Sequence, residues 1–237
     1  MTTSTADVAY RDDIGIIVGG STVLARIGVR IFGRVTVEGS FDGLPRSGPL
    51  IVAVNHVSNV DGVVVAGWFE PRLGRRIHWL GKREMTEWPV FGWFIRRLSV
   101  HPIDRGAGDL EAFRTALRIL DEGHVLLAFP EGTRSPSGVL GEGKDGVASL
   151  ALRANAPIVP IGLAGTRRLW PKGGKPRFGA HVTMTVGDPF LLADLLPPDL
   201  DRRAAKSAAT ELIMSRIAAL LPPTQRGRYG AAATTMS

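Results

Sequence analysis

Three short runs in this chain combine residue types that can do chemistry. NHVSNVD, at 55–61, sets an aspartate five positions after a histidine. A carboxylate on one imidazole nitrogen fixes the tautomer and leaves the other nitrogen to take a proton from a hydroxyl. No nucleophile elbow of the G-x-S-x-G kind accompanies His56. The pair therefore reads as a general base, His56, oriented by Asp61 and acting directly on a substrate alcohol. The plainer alternative is a hydrogen-bonded histidine at a strand end with Asp61 as a helix N-cap. FPEGTRS, at 129–135, follows an apolar strand. Gly132 permits close backbone approach to a ligand, Thr133 and Ser135 offer donors, and Arg134 can grip a phosphate with two hydrogen bonds. A surface β-turn has much the same composition. VHPIDR, at 100–105, ends another strand on Arg105, with a structural Asp104–Arg105 pair as its alternative, and GKREM adds Lys82 and Arg83.

Positioning these runs requires a sheet. Apolar stretches of strand length occur at 49–56, 76–81, 98–103, 125–130, 156–165 and 181–189, with a shorter candidate in RVTVEG from Arg34. Helical periodicities separate them at 61–69, 109–122 and 146–155, and an amphipathic helix closes the run at 202–221. In the helix at 109–122, Leu110, Phe113, Leu117 and Leu120 fall on one side. Strands alternating with helices predict an α/β fold: one domain with a mostly parallel mixed sheet flanked by helices. Chemistry in such sheets sits beyond the carboxyl ends of the strands, where all three runs fall.

Composition narrows the partner. The chain of 237 residues has 29 Lys and Arg against 22 Asp and Glu, a net charge of +7, which points to an anionic partner: nucleic acid, a phospholipid surface or a phosphorylated substrate. It has no cysteine, which excludes a disulfide scaffold, a thiolate metal site and a cysteinyl thioester intermediate. Residues 1–13 are polar with three acids, unlike a secretory signal.

Residues 14–32 (IGIIVGGSTVLARIGVRIF) are apolar over almost the length of about 20 residues that spans a bilayer. Arg26 and Arg30 inside the segment argue against a span. These arginines share one helical face, with Ile17, Leu24, Ile27 and Ile31 opposite, as in an amphipathic membrane-interface helix with its arginines at headgroup level. A helix packed on the core with a solvated basic edge is the alternative. WPVFGWFIRR, at 88–97, lies in a basic region and suits an anionic lipid surface, with plain core packing and single-stranded nucleic acid as lesser readings. The expected organisation is an N-terminal tail and interfacial helix over 1–33, a domain over 34–221 and a disordered tail over 222–237.

NHVSNVD, PIDR, FPEGTRS and IVPIGLAG, in this order and at these intervals, resemble the glycerolipid acyltransferases, and most of all the bacterial 1-acyl-glycerol-3-phosphate acyltransferases. The resemblance covers about 34–189. It implies that His56 deprotonates the acceptor hydroxyl, which attacks the thioester of acyl-CoA or acyl carrier protein, and that Asp61 orients His56. It implies that Arg105, Glu131, Gly132, Thr133 and Arg134, with Lys82, hold the acceptor's phosphate, and that the strand ending in Pro160 shapes the acyl side. Lysophosphatidic acid would be acceptor and phosphatidic acid product, at the cytoplasmic face of the cell membrane, with anionic phospholipid as partner and no nucleic acid. No metal and no cofactor beyond the acyl donor is implied. The chain departs from the family in carrying Pro102 before Ile103-Asp104-Arg105, and Gly143-Lys144-Asp145-Gly146 where paired lysines are usual. The alternatives are another lysophospholipid or glycolipid acceptor, or a basic lipid-binding protein without catalysis.

Overall fold

The computed structural model describes residues 16–82, 99–103 and 109–231. Helix α1 (Ile16–Phe32) runs straight into strand β1 (Gly33–Gly39). Then come β2 (Leu50–Val54), α2 (Asp61–Trp68), the short α3 (Glu70–Leu73), β3 (Ile77–Lys82) and β4 (Val100–Ile103). The rest comprises α4 (Asp109–Asp121), β5 (Val125–Ala128), α5 (Asp145–Ala154), β6 (Ile158–Ala164), the one-turn α6 (Thr166–Leu169), β7 (Ala180–Val186) and α7 (Arg202–Ala219). The strands form one seven-stranded sheet in the order β1-β7-β6-β2-β5-β3-β4. Every pairing is parallel except β6 with β7. The predicted α/β class and mostly parallel mixed sheet are what the chain adopts.

β2 occupies the middle, and all five of its residues are buried. Its alternation divides the core. Ile51 and Ala53 pack with Ala116, Ile119 and Leu120 of α4, with α5, and with Ile213 and Ile217 of α7. Leu50, Val52 and Val54 pack on the other face with Val64, Val65 and Trp68 of α2 and Val29 of α1. A strand covered on both faces has no polar side to show, which is why its sequence is continuously apolar. α2 approaches β3 so closely that a Cβ on Gly62 would collide with the Trp79 ring.

The structure corrects three expectations. In α4, Phe113, Leu117 and Leu120 of the expected face pack on the core together with Ala116 and Ile119, but Leu110 does not and is 57% exposed. The residues at 222–231, expected to be disordered, form two 3-10 turns (Pro223–Gln225 and Gly227–Tyr229). Tyr229 is buried there, and its hydroxyl accepts the Gly143 N–H at 3.1 Å. Burial of one large aromatic ring and a few backbone bonds anchors a segment that has no apolar periodicity.

The third concerns α1. Its arginine face does not stand free at headgroup level. Arg26 turns into the protein, its Nε donating to the Gly67 carbonyl at 2.6 Å, with its guanidinium 5.8 Å from the Trp68 ring. That carbonyl lies at the C-terminal end of α2, where helix carbonyls lack intrahelical donors and favour a cation. Arg30 remains exposed. With Thr22, Arg26 and Val29 facing the protein, Val23, Leu24, Ile27 and Ile31 face out, at 53%, 63%, 52% and 61% exposure. The exposed Phe178 ring stacks on Phe32 and extends this ridge, ring centroids 4.7 Å apart. The core-packed alternative for α1 holds in part: Thr22 and Val29 are buried against the protein, but of the basic edge only Arg30 is solvated. No helix among the described residues is long and apolar enough to cross a membrane. The run at 88–97 lies outside the described residues.

Candidate active site

The segment leaving β2 is fixed from three sides. Asn55, buried, donates to the Leu163 carbonyl at 3.0 Å and accepts the Leu163 N–H at 2.7 Å, riveting the strand end to β6. His56 donates its backbone N–H to Glu131 Oε1 at 2.6 Å, and its carbonyl accepts the Ser135 N–H at 2.7 Å. Ser58 Oγ donates to the Trp170 carbonyl at 2.6 Å. The loop after β2 is thus held by the loop after β5 and the turn after β6.

Asp61 is the first residue of α2 and is fully buried. Its Oδ2 takes His56 Nδ1 at 2.9 Å and the backbone N–H groups of Val57 and Ser58, both at 2.7 Å. The helix N-cap is Val60, so the plain capping alternative for Asp61 does not hold. A carboxylate only accepts, so Nδ1 carries a proton, and in the neutral ring Nε2 is the nitrogen with the lone pair. The imidazole stacks on Phe129, centroids 4.0 Å apart, and keeps 22% of its side-chain surface exposed. The ring is oriented by one carboxylate, backed by one aromatic face, and still reachable from solvent.

The FPEGTRS run forms the turn after β5. Gly132 has φ +65°, a conformation that glycine takes without strain. A Cβ there would come within 3.1 Å of Lys144 Cδ, so Lys144 lies over the turn, and its N–H bonds to the Pro130 carbonyl at 2.9 Å. Sequence reasoning noted Lys144 only as a departure from paired lysines; its return to this turn is set by the loop between β5 and α5. Thr133 is exposed and Arg134 half-buried, on the same turn. Glu131 differs from its neighbours. It is buried, and its two oxygens accept the N–H groups of His56 at 2.6 Å and Gly141 at 2.8 Å. Burial pushes its carboxyl above the ordinary carboxylate range, with the two N–H donors pulling the other way. Expected among the phosphate-holding residues, Glu131 instead has both oxygens committed to backbone, which suits a positioning residue for the two loops.

β3 and β4 run parallel with Lys82 opposite Ile103, so Lys82 ends its strand level with the end of β4. Arg105, two residues beyond Ile103, and the side chain of Lys82 lie outside the described residues. The sheet gathers the carboxyl ends of β2, β5, β3 and β4 along one edge, since these four strands are mutually parallel.

Three further histidines, which sequence reasoning did not single out, meet one another toward the amino ends of β3, β4 and β5. His78 Nδ1 lies 3.0 Å from His101 Nε2, and the His78 ring centroid is 4.9 Å from that of His124. Burial, then the neighbouring imidazoles and Arg76, depress His78 to about 3. Burial, His124 and Arg118 depress His101 to about 4. They come from β3, β4 and the residue before β5, too far apart in sequence to read as a group.

A family model described as Acyltransferase matches residues 34–164, more than half of the chain. The chain belongs to the acyltransferase family. Among curated relatives of this acyltransferase, the 1-acyl-sn-glycerol-3-phosphate acyltransferase of Pseudomonas aeruginosa is 31% identical over 157 residues, covering 65% of this chain and 58% of the relative. The Bacillus subtilis protein of the same name is 26% identical over 193 residues, covering 81% and 87%. The crystal structure of the 1-acyl-sn-glycerophosphate (LPA) acyltransferase PlsC from Thermotoga maritima superposes with a TM-score of 0.68 at 25% identity, covering 83% of this chain and 76% of that one. The chain spans about half the length of several curated relatives that it matches.

Proposed function

We propose that this acyltransferase moves a fatty acyl group from an acyl-CoA or acyl carrier protein thioester to the free hydroxyl of a 1-acyl-glycerol-3-phosphate, giving phosphatidic acid. The observation that carries the reading is the oriented imidazole: His56 Nδ1 held on buried Asp61 at 2.9 Å with the ring still accessible. The names of the relatives, all acyl-glycerol-phosphate acyltransferases, support the acceptor.

The step we assign uses this geometry. His56 Nε2 takes the acceptor's hydroxyl proton as the oxygen attacks the thioester carbonyl carbon, and the imidazolium formed is stabilised by Asp61. The tetrahedral intermediate collapses with cleavage of the C–S bond. The imidazolium then returns its proton to the departing thiolate, so ester and thiol leave a neutral His56. Arg134 and Thr133, with Lys144 over the turn and Lys82 and Arg105 from the neighbouring strand ends, are the groups we assign to the acceptor's phosphate. The transfer as written calls on no metal and no cofactor beyond the acyl donor.

The acceptor and product are lipids, and the ridge of Val23, Leu24, Ile27, Ile31 and Phe178 is the surface we assign to the bilayer interface, with Arg30 beside it at headgroup level. On this reading the enzyme is a peripheral membrane protein, and we assign it to the cytoplasmic face.

Transfer from labelled oleoyl-CoA to lysophosphatidic acid, in wild type and His56→Ala, tests the chemistry. The expected loss in kcat is about a thousandfold; turnover within threefold of wild type, with an unchanged circular dichroism spectrum, removes His56 as the base. If phosphate-free monoacylglycerol is accepted as well as lysophosphatidic acid, the phosphate assignment of Arg134 is wrong. Leu24→Glu/Ile27→Glu is expected to abolish cosedimentation with phosphatidylglycerol vesicles, and undiminished binding would remove the ridge from the membrane contact.

A further inference from the structure

Between β6 and β7 the chain runs GTRRLWPKGGKPRFGAH over 165–181, with five Lys and Arg and no acidic residue. This turn forms one wall of an open groove of about 550 Å³. Arg167, Arg168 and Arg177 line the groove, and no carboxylate does. The facing wall comes from Ser137 to Val139, just beyond the FPEGTRS turn, and from Thr224 and Gln225 of the C-terminal segment. None of Gly132, Thr133 and Arg134 lines the groove, so it is separate from the groups assigned to the acceptor's phosphate.

The groove is a built feature rather than a loose surface patch. Arg167 Nε donates to the Pro136 carbonyl at 3.1 Å, tying the two walls together. The Leu140 N–H bonds to the Gln225 carbonyl at 2.8 Å, fixing the third contributor. It also adjoins the catalytic loop. Val57, next in sequence to His56, lines it, and Ser58 forms a β-bridge with Pro171. Three guanidiniums without a carboxylate suit an anion bearing more than one phosphate, since each can grip phosphate oxygens in pairs. Ser137, Thr224 and Gln225 add hydroxyl and amide groups of the kind that hold a sugar or base, and the size falls in the range of small-ligand sites. The residues of the apolar ridge on α1 do not line it.

We propose that this groove binds the phosphorylated nucleotide end of a coenzyme A thioester, so that the donor's thioester reaches the His56 loop past Val57. The inference rests on the acyl-transfer reading and makes the donor of this enzyme a coenzyme A ester. Three diffuse negative groups on the ligand meet Arg167, Arg168 and Arg177, while the acceptor's phosphate is held on the other loops.

The test is Arg168→Gln/Arg177→Gln, which spares the wall-tying Arg167, with Arg203→Gln on α7 as the control for loss of a positive charge elsewhere. Calorimetry with coenzyme A on the full chain is expected to show binding weakened at least tenfold in the double variant and unchanged in Arg203→Gln. The KM for oleoyl-CoA should rise at least tenfold, while kcat/KM for an S-acyl-N-acetylcysteamine donor, which lacks the phosphates, should move less than threefold. Adenosine 3′,5′-bisphosphate should compete with oleoyl-CoA in wild type and lose potency in the double variant. Unchanged coenzyme A affinity and KM in the double variant overturn the proposal. So does a double variant that loses only acyl carrier protein turnover or only vesicle binding, which assigns the groove to the carrier protein or to lipid. If wild type transfers no acyl group from any donor, the acyl-transfer reading fails, and the calorimetric comparison still decides whether the groove takes coenzyme A.

Discussion

Two sets of histidines in this fold sit a few strands apart and are built for opposite ends. His56 meets a buried carboxylate at 2.9 Å and keeps 22% of its side chain exposed. His78, His101 and His124 meet one another, with Arg76 and Arg118 nearby and Glu122 at 3.7 Å from His124 alone, and burial holds the first two neutral, at about 3 and about 4. An imidazole that must gain and lose a proton needs an anion to stabilise its charged form and a route to the reactant. An imidazole that serves as packing needs neither, and added positive neighbours only make protonation harder.

The comparison can be broken at either end. Asp61→Asn leaves the size of the side chain unchanged but removes the charge behind His56 and lets the amide favour the wrong tautomer. We expect kcat to fall by a hundredfold or more, with a lowered Tm from the three donors that Asp61 satisfies; activity near wild type would show that His56 does not depend on Asp61. Glu131→Ala should act next most strongly, because it frees the His56 and Gly141 N–H groups together. Burying two unmet donors costs about 2–6 kcal/mol, read as a fall in Tm accompanied by reduced kcat, while KM for lysophosphatidic acid changes little. A large rise in that KM with kcat preserved would return Glu131 to the acceptor contacts.

The smallest effect is expected at the stacked histidines. The folded pKa values of His78 and His101 lie below the ordinary 6.5, so the unfolded chain binds protons that the folded chain refuses. Their stabilising contribution is complete above about pH 6.5 and is lost as pH falls toward 4 and then 3. His78→Phe should therefore narrow the gap in Tm between pH 7 and pH 5, whatever it does to Tm at pH 7. An unchanged gap would mean that the acid sensitivity arises elsewhere. Glu70 opposes this trend: burial raises it to about 7, so its contribution is complete below about pH 4.5 and is lost as pH rises to 7.

The strands, the α/β class and the His56–Asp61 pair were legible because each is a local pattern: continuous apolar runs for doubly covered strands, and a histidine and carboxylate within one short loop. What was illegible depends on partners distant in sequence. A helical wheel showed that Arg26 and Arg30 share a side of α1 but not that this side faces the carbonyl of Gly67. The FPEGTRS run identified its turn, yet the inward bend of Glu131 needs the Gly141 N–H ten residues on. The arginines of the groove carry no motif, and the histidine stack is assembled from three strands' ends. Tyr229 lies in a run without apolar periodicity and is buried only because the loop at Gly143 receives its hydroxyl.

That stitching also sets when during folding the site can exist. The bonds that shape the catalytic loop and its surroundings join residues 75, 108 and 112 positions apart at Glu131, Leu163 and Trp170, and Tyr229 closes on Gly143 over 86. Loop closures of this span form late, after locally encoded helices and neighbouring strands have gathered. A folding intermediate of this chain would therefore carry its apolar α1 ridge, a local feature, before it had an oriented base.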